Sequence, residues 1–325
     1  MIIVTGGAGL IGSALVWGLN QRGDTDILIV DEIDHDEKEH NIAPLRYERL
    51  VGIQEFREMV REGLLDSEGV QAVLHMGACS NTTEEDWDYL ADNNVAYTQE
   101  LIRWCSDRGV RCIYASSAAV YGDGERGFSD DHDMFDVLEP LNLYGKSKLE
   151  VDVWARDAGH LGDVVGLRYF NVFGPNEWHK EGMRSVALKK WEQFKKEGKI
   201  ELFKSENEDY ADGEQERDFV YIKDAVKATL HFLDNPEEMG VYNIGTGNAQ
   251  TWKAMAGGIF TALGAEPKIE YIDLPVELKE QYQYHTQADI SKLRESGYTE
   301  SFTELREAVE DYVSHYLEPH RHLGE

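Results

Sequence analysis

Residues 1–12 read MIIVTGGAGLIG, and this stretch decides the fold of the chain. Its first four residues, Met1–Val4, are apolar and rich in β-branched side chains, which is typical of a buried parallel strand. The glycines that follow, Gly6, Gly9 and Gly12, allow a tight turn, a close approach of backbone to a pyrophosphate and close helix–strand packing. The pattern therefore predicts a strand, a phosphate-binding turn and a helix whose first amide groups face the phosphates.

An acidic residue stands where a ribose hydroxyl is expected to bind. A second predicted strand, residues 26–30, ends at Asp31, about 20 positions after the glycines. The glycines together with the strand, the helix and the acid predict a dinucleotide site. An ordinary glycine-rich turn would explain none of this context.

Strand-like and helix-like segments alternate through the first half of the chain. The pattern predicts further strands at residues 70–76, 110–115 and 164–169, and a long helix at residues 84–108. This alternation indicates an α/β protein with a doubly wound parallel sheet of the Rossmann type. Functional groups in such sheets lie at the carboxyl ends of the strands.

The second half is less regular and predicts a smaller mixed α/β domain that binds the substrate. We assign residues 1–172 and 218–247 to the dinucleotide-binding domain, and residues 173–217 and 248–325 to the substrate-binding domain. The last six residues, 320–325, are predicted to be mobile.

Charge and composition exclude several classes of partner. The 325 residues carry a formal net charge of −30, which argues against nucleic acid and anionic membrane surfaces as partners. The sequence contains no run of 18 apolar residues, so no membrane span is predicted. The cysteines, Cys79, Cys105 and Cys112, lack metal-ligand spacing, so no metal site is predicted, and a cytoplasmic location is expected.

A second motif carries the chemistry. Tyr144 precedes Lys148 by four residues on a predicted helix, so both side chains lie on one face, one turn apart. A cation beside a phenol is expected to lower the phenol pKa, which makes an acid/base usable near neutral pH. Ser117 could hydrogen-bond the same reacting oxygen. These residue types suit removal of a proton from an alcohol while a cofactor takes the hydride.

The glycine pattern, Ser117 and the Tyr144–Lys148 pair resemble the extended short-chain dehydrogenase/reductase family. That family includes nucleotide-sugar epimerases, dehydratases and decarboxylases. Further strings are similar to the branch that epimerises ADP-bound heptoses at C6, namely GACS at 77–80, DNN at 92–94, RYFNVFGP at 168–175, HK at 179–180, RDFVY at 217–221 and TQAD at 286–289. The resemblance implies an ADP-sugar substrate, a transient ketone and a homo-oligomer, with a pentamer as one form.

The resemblance also implies roles for individual residues. Tyr144 would be one acid/base, and Lys180 a second that serves the carbonyl after it has turned. Lys148 would hold the nicotinamide ribose and polarise Tyr144. From the sequence alone, a solvated surface lysine remains the alternative for Lys180.

The resemblance implies a wider set of contacts. For the cofactor these are Gly6, Gly9, Leu10, Ile11, Gly12, Asp31, Glu32, Lys38, Met76, Gly77, Ala78, Cys79, Ser80, Asn93, Tyr144, Lys148, Val172 and Lys180. For the substrate they are Ser117, Asn171, Gly182, Lys189, Phe203, Arg217 and Tyr282. Three alternatives stay open: a turn asparagine at 171, a surface lysine at 189, and a partner of nearby carboxylates at Arg217.

The sequence supports two interpretations of the group at the 2′ position of the cofactor's ribose, a hydroxyl or a phosphate. Asp31 would bind a free ribose hydroxyl and repel a 2′-phosphate, which favours NAD. The resembling branch generally uses NADP, with an acid at the strand end and a lysine shortly after, where this chain has Lys38. We expect NADP, with NAD as the alternative.

Other functions are compatible with the same motifs. A UDP-hexose 4-epimerase shares the first-domain pattern. A 4,6-dehydratase would need an acidic pair beside the tyrosine, whereas Leu143 stands before Tyr144 here. A non-catalytic dinucleotide sensor would have no need of the serine, the tyrosine and the lysine together.

Overall fold

The structure is a computed structural model that describes residues 1–279 and 282–325. Its strands are β1 (Ile2–Thr5), β2 (Ile27–Val30), β3 (Arg49–Val51), β4 (Ala72–His75), β5 (Arg111–Ser117), β6 (Val164–Tyr169), β7 (Asn171–Phe173), β8 (Ile200–Phe203), β9 (Glu216–Arg217), β10 (Phe219–Tyr221), β11 (Gly240–Ile244), β12 (Gln250–Thr251) and β13 (Ile269–Ile272). Its helices are α1 (Leu10–Gln21), α2 (Asp36–Ile42), α3 (Ile53–Arg61), α4 (Trp87–Leu90), α5 (Tyr97–Arg108), α6 (Leu143–Asp157), α7 (Val186–Glu197), α8 (Ile222–Asp234), α9 (Trp252–Ala262), α10 (Val276–Lys279), α11 (Ser291–Glu295) and α12 (Leu305–Tyr312).

Within the described residues, seven strands form one parallel sheet in the order β11-β6-β5-β4-β1-β2-β3. The chain winds outward from β1 in both directions, since β1 pairs with β2 on one side and with β4 on the other. Successive side chains of β1 enter different cores, with Ile3 in one and Val4 in the other. This confirms the predicted doubly wound sheet.

The first domain departs from prediction in its third strand. β3 was not predicted, because it is a three-residue edge strand of which only Val51 is buried. The strand predicted at residues 70–76 is β4, and it is shorter.

The helix predicted at residues 84–108 begins at Trp87 and contains a π-helical segment, Ala91–Ala96, between α4 and α5. That segment directs the side chain of Asn94 inward, where it is fully buried.

Three two-stranded sheets complete the described structure. β7 pairs with β10, β9 with β12, and β8 with β13. The last two pairs join segments on either side of residues 218–247. Among the described helices, none is long and apolar enough to cross a membrane.

The tail at residues 320–325 was predicted to be mobile, and that prediction is wrong. The Leu323 side chain is fully buried, and its backbone N–H donates to Asn176 Oδ1 at 2.9 Å. His322 Nδ1 lies 2.8 Å from Asn41 Oδ1. One buried leucine and two side-chain hydrogen bonds fix a stretch whose composition carries no periodic signal.

Candidate active site

The carboxyl ends of β1, β4, β5 and β6 border one cleft of about 770 Å³. Most of the predicted site residues line it: Gly6, Gly9, Leu10, Ile11, Gly12, Asp31, Glu32, Lys38, Met76, Gly77, Ala78, Cys79, Ser80, Asn93, Ser117, Tyr144, Lys148, Asn171, Val172 and Lys180. Residues that are far apart in the sequence therefore meet where the parallel sheet predicts a site.

The turn after β1 is shaped for a phosphate group. Gly6 has a φ of +63°, and a Cβ there would lie 2.7 Å from the backbone nitrogen of Gly77. A Cβ on Gly12 would lie 2.0 Å from the carbonyl oxygen of Gly6. Only glycine fits both positions, and α1 then begins with free amide groups at the edge of the cleft. These residues fit a dinucleotide pyrophosphate.

The ribose end of the cleft contains a neutralised carboxylate. Asp31 is buried, and its Oδ2 accepts the backbone N–H of Ala8 at 2.9 Å. Its Oδ1 accepts from Lys38 Nζ at 3.1 Å. Lys38 also lies 2.9 Å from Asp34 Oδ1. Although burial opposes the charge, these two carboxylates raise the pKa of Lys38.

The tyrosine wall is built on a regular helix. The side chain of Asn142 caps α6 by accepting the N–H of Gly145 at 2.8 Å. Tyr144 follows in the first turn, and Lys148 Nζ lies 5.9 Å from the centroid of its ring. Lys148 Nζ donates to the carbonyl oxygen of Ala115 at 2.9 Å. The helix thus delivers both side chains to the end of β5, as the spacing predicts.

The predicted lowering of the Tyr144 pKa is wrong in this structure. Burial raises the pKa of Tyr144, while its hydrogen bond with Ser117 acts in the opposite direction. Burial also lowers the pKa of Lys148 to about 8. The lysine bonds a carbonyl rather than the phenol, so desolvation outweighs the expected effect of the cation.

The lysine wall is irregular. Lys180 lies in a 3₁₀ segment, Trp178–Met183, that is interrupted at Glu181, where φ is +44°. The side chain of Lys180 is half-buried and lines the cleft, which a solvated surface lysine would not do. Burial lowers the pKa of Lys180. Its amine therefore exchanges protons more readily than an ordinary lysine.

A buried carboxylate holds this segment in place. Glu177 is almost fully buried, and its Oε1 accepts from Ser185 Oγ at 2.6 Å and from Tyr312 OH at 2.9 Å. The two bonds fix both ends of the irregular segment that carries Lys180.

Two predicted substrate contacts, Gly182 and Lys189, bond to each other. Lys189 Nζ donates to the carbonyl oxygen of Gly182 at 2.5 Å. Neither residue is among the described residues that line the cleft. In this structure their hydrogen bond joins the start of α7 to the segment that carries Lys180.

The last three predicted contacts, Phe203, Arg217 and Tyr282, pack together beside Trp252, which lines the cleft. The Arg217 guanidinium lies 5.4 Å from the Trp252 ring centroid and 5.5 Å from that of Tyr282, whose ring packs on Phe203. Arg217 donates to the backbone carbonyls of Glu216 and Gln283, so its described bonds are not to carboxylates. Burial lowers the pKa of Arg217 to about 10.

Several residues at or beside the site were not predicted, among them Asn94, His179 and Trp252. Asn94 accepts the N–H of Cys79 at 2.8 Å and donates to Ser147 Oγ at 3.0 Å, which joins the turn after β4 to α6. His179 and Trp252 line the cleft. The DNN and HK strings contain two of these residues, but only the fold shows which side chains point inward.

The arrangement suits reversible oxidation of an alcohol. A turn shaped for a dinucleotide, a serine–tyrosine pair and a second half-buried amine border one space. Two groups that can transfer protons reach it from different elements. Such a site can remove a proton from one position of the substrate oxygen and return it at another.

Comparison with known proteins agrees with this geometry. A relative from Nitratidesulfovibrio vulgaris, named ADP-L-glycero-D-manno-heptose-6-epimerase, is 49% identical over 323 residues, covering 98% of this chain and 100% of the relative. A relative of the same name from Fusobacterium nucleatum is 44% identical and covers 98% of each chain.

A solved structure and a family model complete the comparison. The crystal structure of Helicobacter pylori ADP-L-glycero-D-manno-heptose-6-epimerase matches with a TM-score of 0.80 at 27% identity, covering 97% of this chain and 95% of that chain. Residues 2–245 match the family model described as "NAD dependent epimerase/dehydratase family". The chain belongs to the NAD dependent epimerase/dehydratase family.

Proposed function

We propose that the protein epimerises ADP-D-glycero-D-manno-heptose at C6 to the L-glycero isomer. The observation that carries the proposal is the presence of two different proton-transfer groups, Tyr144 and Lys180, on different elements that line one dinucleotide-type cleft. The relatives named for this reaction, at 44% and 49% identity over nearly the whole chain, support the choice of sugar.

The residues divide the reaction between them. When bound, the nicotinamide supplies the acceptor and later the donor of the hydride of C6. Tyr144, with Ser117 beside it, would act as the phenolate and take the proton of the C6 hydroxyl as the ketone forms. Because burial favours the phenol in the free chain, the phenolic proton must first leave to solvent. After the ketone turns, Lys180 would give a proton to the relocated oxygen while C6 regains its hydride on the other face. Tyr144 would then release its proton to solvent and Lys180 would take one up, which restores both residues. No external oxidant or reductant is consumed.

We propose NADP as the cofactor. The carboxylate of Asp31 is already paired with Lys38, so the charge that would repel a 2′-phosphate is offset by a cation at the same place. We expect a lower dissociation constant for NADP than for NAD. Lys38→Ala should weaken NADP binding about tenfold and leave NAD nearly unchanged. Tighter binding of NAD by the wild type would contradict this proposal.

We also propose the division into residues 1–172 with 218–247 and residues 173–217 with 248–325. The pairs β8–β13 and β9–β12 both join the two segments of the second unit, which supports it. Limited proteolysis should cut first in the segments that connect the units. Early cleavage inside either unit would count against the division.

We propose a homo-oligomer, on the basis of the family resemblance. Light scattering should give a mass that is a multiple of 37.0 kDa, with five chains as the expected form. A mass equal to that of one chain would refute it.

The decisive experiment gives the purified protein ADP-D-glycero-D-manno-heptose with no added cofactor and follows the sugar protons by NMR. The L-glycero isomer should appear, because the cofactor is recycled within each turnover. No conversion, even after addition of NADP and then NAD, would reject this sugar. The same assay with UDP-hexoses then tests the alternative of a UDP-hexose 4-epimerase, which a 25% identical UDP-N-acetylglucosamine 4-epimerase structure of TM-score 0.77 supports at the level of the fold.

A further inference from the structure

A cluster of metal-type side chains lies between α2 and the C-terminal tail. Glu37 and His40, one turn apart on α2, face His322, and their ligand atoms all lie within 4.8 Å of one another. Glu37 Oε2 is 3.4 Å from His322 Nε2 and 3.7 Å from His40 Nδ1. Ligands held at about 2.0–2.1 Å in a tetrahedron are separated by roughly 3.4 Å. The two measured distances are close to that value.

The neighbouring Asn41 fixes which ring nitrogen of His322 carries the hydrogen. Asn41 Nδ2 donates to the carbonyl oxygens of Ala8, at 2.9 Å, and Asn176, at 3.1 Å. The opposite atom, Asn41 Oδ1, is therefore an acceptor, and His322 Nδ1 must donate to it at 2.8 Å. With Nδ1 as the donor, the neutral ring carries its lone pair on Nε2. A neighbour that fixes a histidine in this way is typical of metal ligands.

The free lone pair faces another acceptor. His322 is almost fully buried, and its Nε2 points to Glu37 Oε2. Within the described part of the chain, Glu37 Oε2 is itself buried without a hydrogen-bond partner. Two lone pairs directed at each other in a buried place repel, and a cation between them would satisfy both.

A third histidine, His320, lies near the cluster. His320 Nε2 lies 3.8 Å from Glu37 Oε1. The backbone of His320 has a φ of +51°, which turns the tail back toward α2, and its ring packs 4.7 Å from that of Trp178. The ligand atoms that lie within 4.8 Å of one another belong to Glu37, His40 and His322, and His320 stands beside this group.

We propose that Glu37, His40 and His322 bind one divalent transition metal of the zinc class. Imidazole nitrogen combined with one carboxylate suits zinc, cobalt or nickel, whereas magnesium and calcium prefer oxygen ligands alone. Three protein ligands leave the fourth position of the tetrahedron to a water molecule. The metal fastens the tail to α2.

The site is joined to the cofactor turn through Asn41. The amide that orients His322 also holds the carbonyl of Ala8, between Gly6 and Gly9, and lies 3.3 Å from His179 Nδ1. A bound metal therefore steadies one side of the glycine turn as well as the tail.

Metal titration of tag-free, full-length protein after treatment with a chelator tests the proposal. Zinc chloride should bind with a stoichiometry of one per chain by calorimetry and raise the Tm. Cobalt chloride should give the intense visible absorption of a tetrahedral site. Resistance of the tail to carboxypeptidase should increase with zinc.

Two ligand variants are chosen so that folding is preserved. His40→Ala removes a side chain that is 59% exposed, and Glu37→Gln keeps the shape of the residue. Each should weaken zinc binding at least tenfold and abolish the rise in Tm. The matched control is His315→Ala. His315 is exposed, lies before the tail and pairs with Asp311, so this variant should bind zinc like the wild type. Unchanged zinc affinity in both ligand variants, or no binding by the wild type at micromolar zinc, would overturn the proposal.

Discussion

The two walls of the cleft are built in different ways. Tyr144 stands on a capped, regular helix, and its relation to Lys148 follows from helical spacing alone. Lys180 stands on an irregular segment with a left-handed residue, Glu181, directly after it. The comparison teaches that chemistry on a regular element can be derived from spacing, whereas chemistry on an irregular one needs the whole fold.

Each wall rests on one buried carboxylate, but the two carboxylates are compensated differently. Asp152, behind the tyrosine wall, pairs with Arg168 at 2.9 Å, and both side chains are fully buried. It also accepts from Tyr114 OH and Ser116 Oγ, each at 2.9 Å. Glu177, behind the lysine wall, is held by neutral hydroxyls and a backbone amide. The carboxylate behind the tyrosine wall therefore has a charged partner, whereas the bonds described for the carboxylate behind the lysine wall are to neutral groups.

The largest effect is expected for Tyr144→Phe. Removal of the hydroxyl takes away a positioned acid/base, and turnover should fall about 10⁴-fold, the upper end of the range for such groups. Dinucleotide affinity should stay within a fewfold of the wild type, because α6 and its cap are unchanged. Both are measured by the NMR assay and by fluorescence titration. Near-normal turnover would remove Tyr144 from the mechanism.

The next effect concerns the support of that wall. Asp152→Asn leaves the Arg168 guanidinium buried without a counter-charge, and the free energy of unfolding should fall by about 4 kcal/mol. Asp136→Asn is the matched control, since Asp136 is exposed beside Arg156, and it should change the value by less than about 1 kcal/mol. Urea unfolding measures both variants. Equal effects would mean that burial of the Asp152 pair does not matter.

A pH dependence should follow from Lys148. Its pKa is about 8 in the folded chain and 10.5 in the unfolded chain, so the unfolded state binds more protons between these values. Wild-type stability relative to Lys148→Met should therefore rise with pH across this window, by up to about 3 kcal/mol. Lys146→Met, two residues away at a half-exposed position, is the matched control. A flat difference would place the Lys148 pKa near its ordinary value.

The smallest effect is expected for Lys180→Met. Because the side chain of Lys180 is only half-buried, water can replace part of the lost proton donor, and turnover should fall about 10²-fold. Reduction of the bound cofactor in a single turnover should be less affected than formation of product, since Tyr144 remains. Lys190→Met, on the neighbouring helix, is the control. Similar losses in both half-reactions would contradict a separate role for Lys180.

The sequence was sufficient wherever a local rule fixes the geometry. The glycine turn, Asp31 at the end of β2, and the Tyr144–Lys148 pair all follow from spacing. β3 was missed because a short edge strand carries little apolar pattern. The pKa of Tyr144 was wrong in direction because burial is a property of the folded chain. The packing of the tail depends on a contact between Leu323 and Asn176, which are 147 residues apart.

The π-helical segment Ala91–Ala96 has a consequence for how related chains should be aligned. A π turn holds one more residue than an α turn, so the flanking helices α4 and α5 keep their relation if one residue is lost there. Chain length can therefore change by one at this point without disturbing the packing of either helix. We expect deletion of one residue from this segment to convert the π turn into an α turn and to remove the Asn94 side chain from the Cys79 amide.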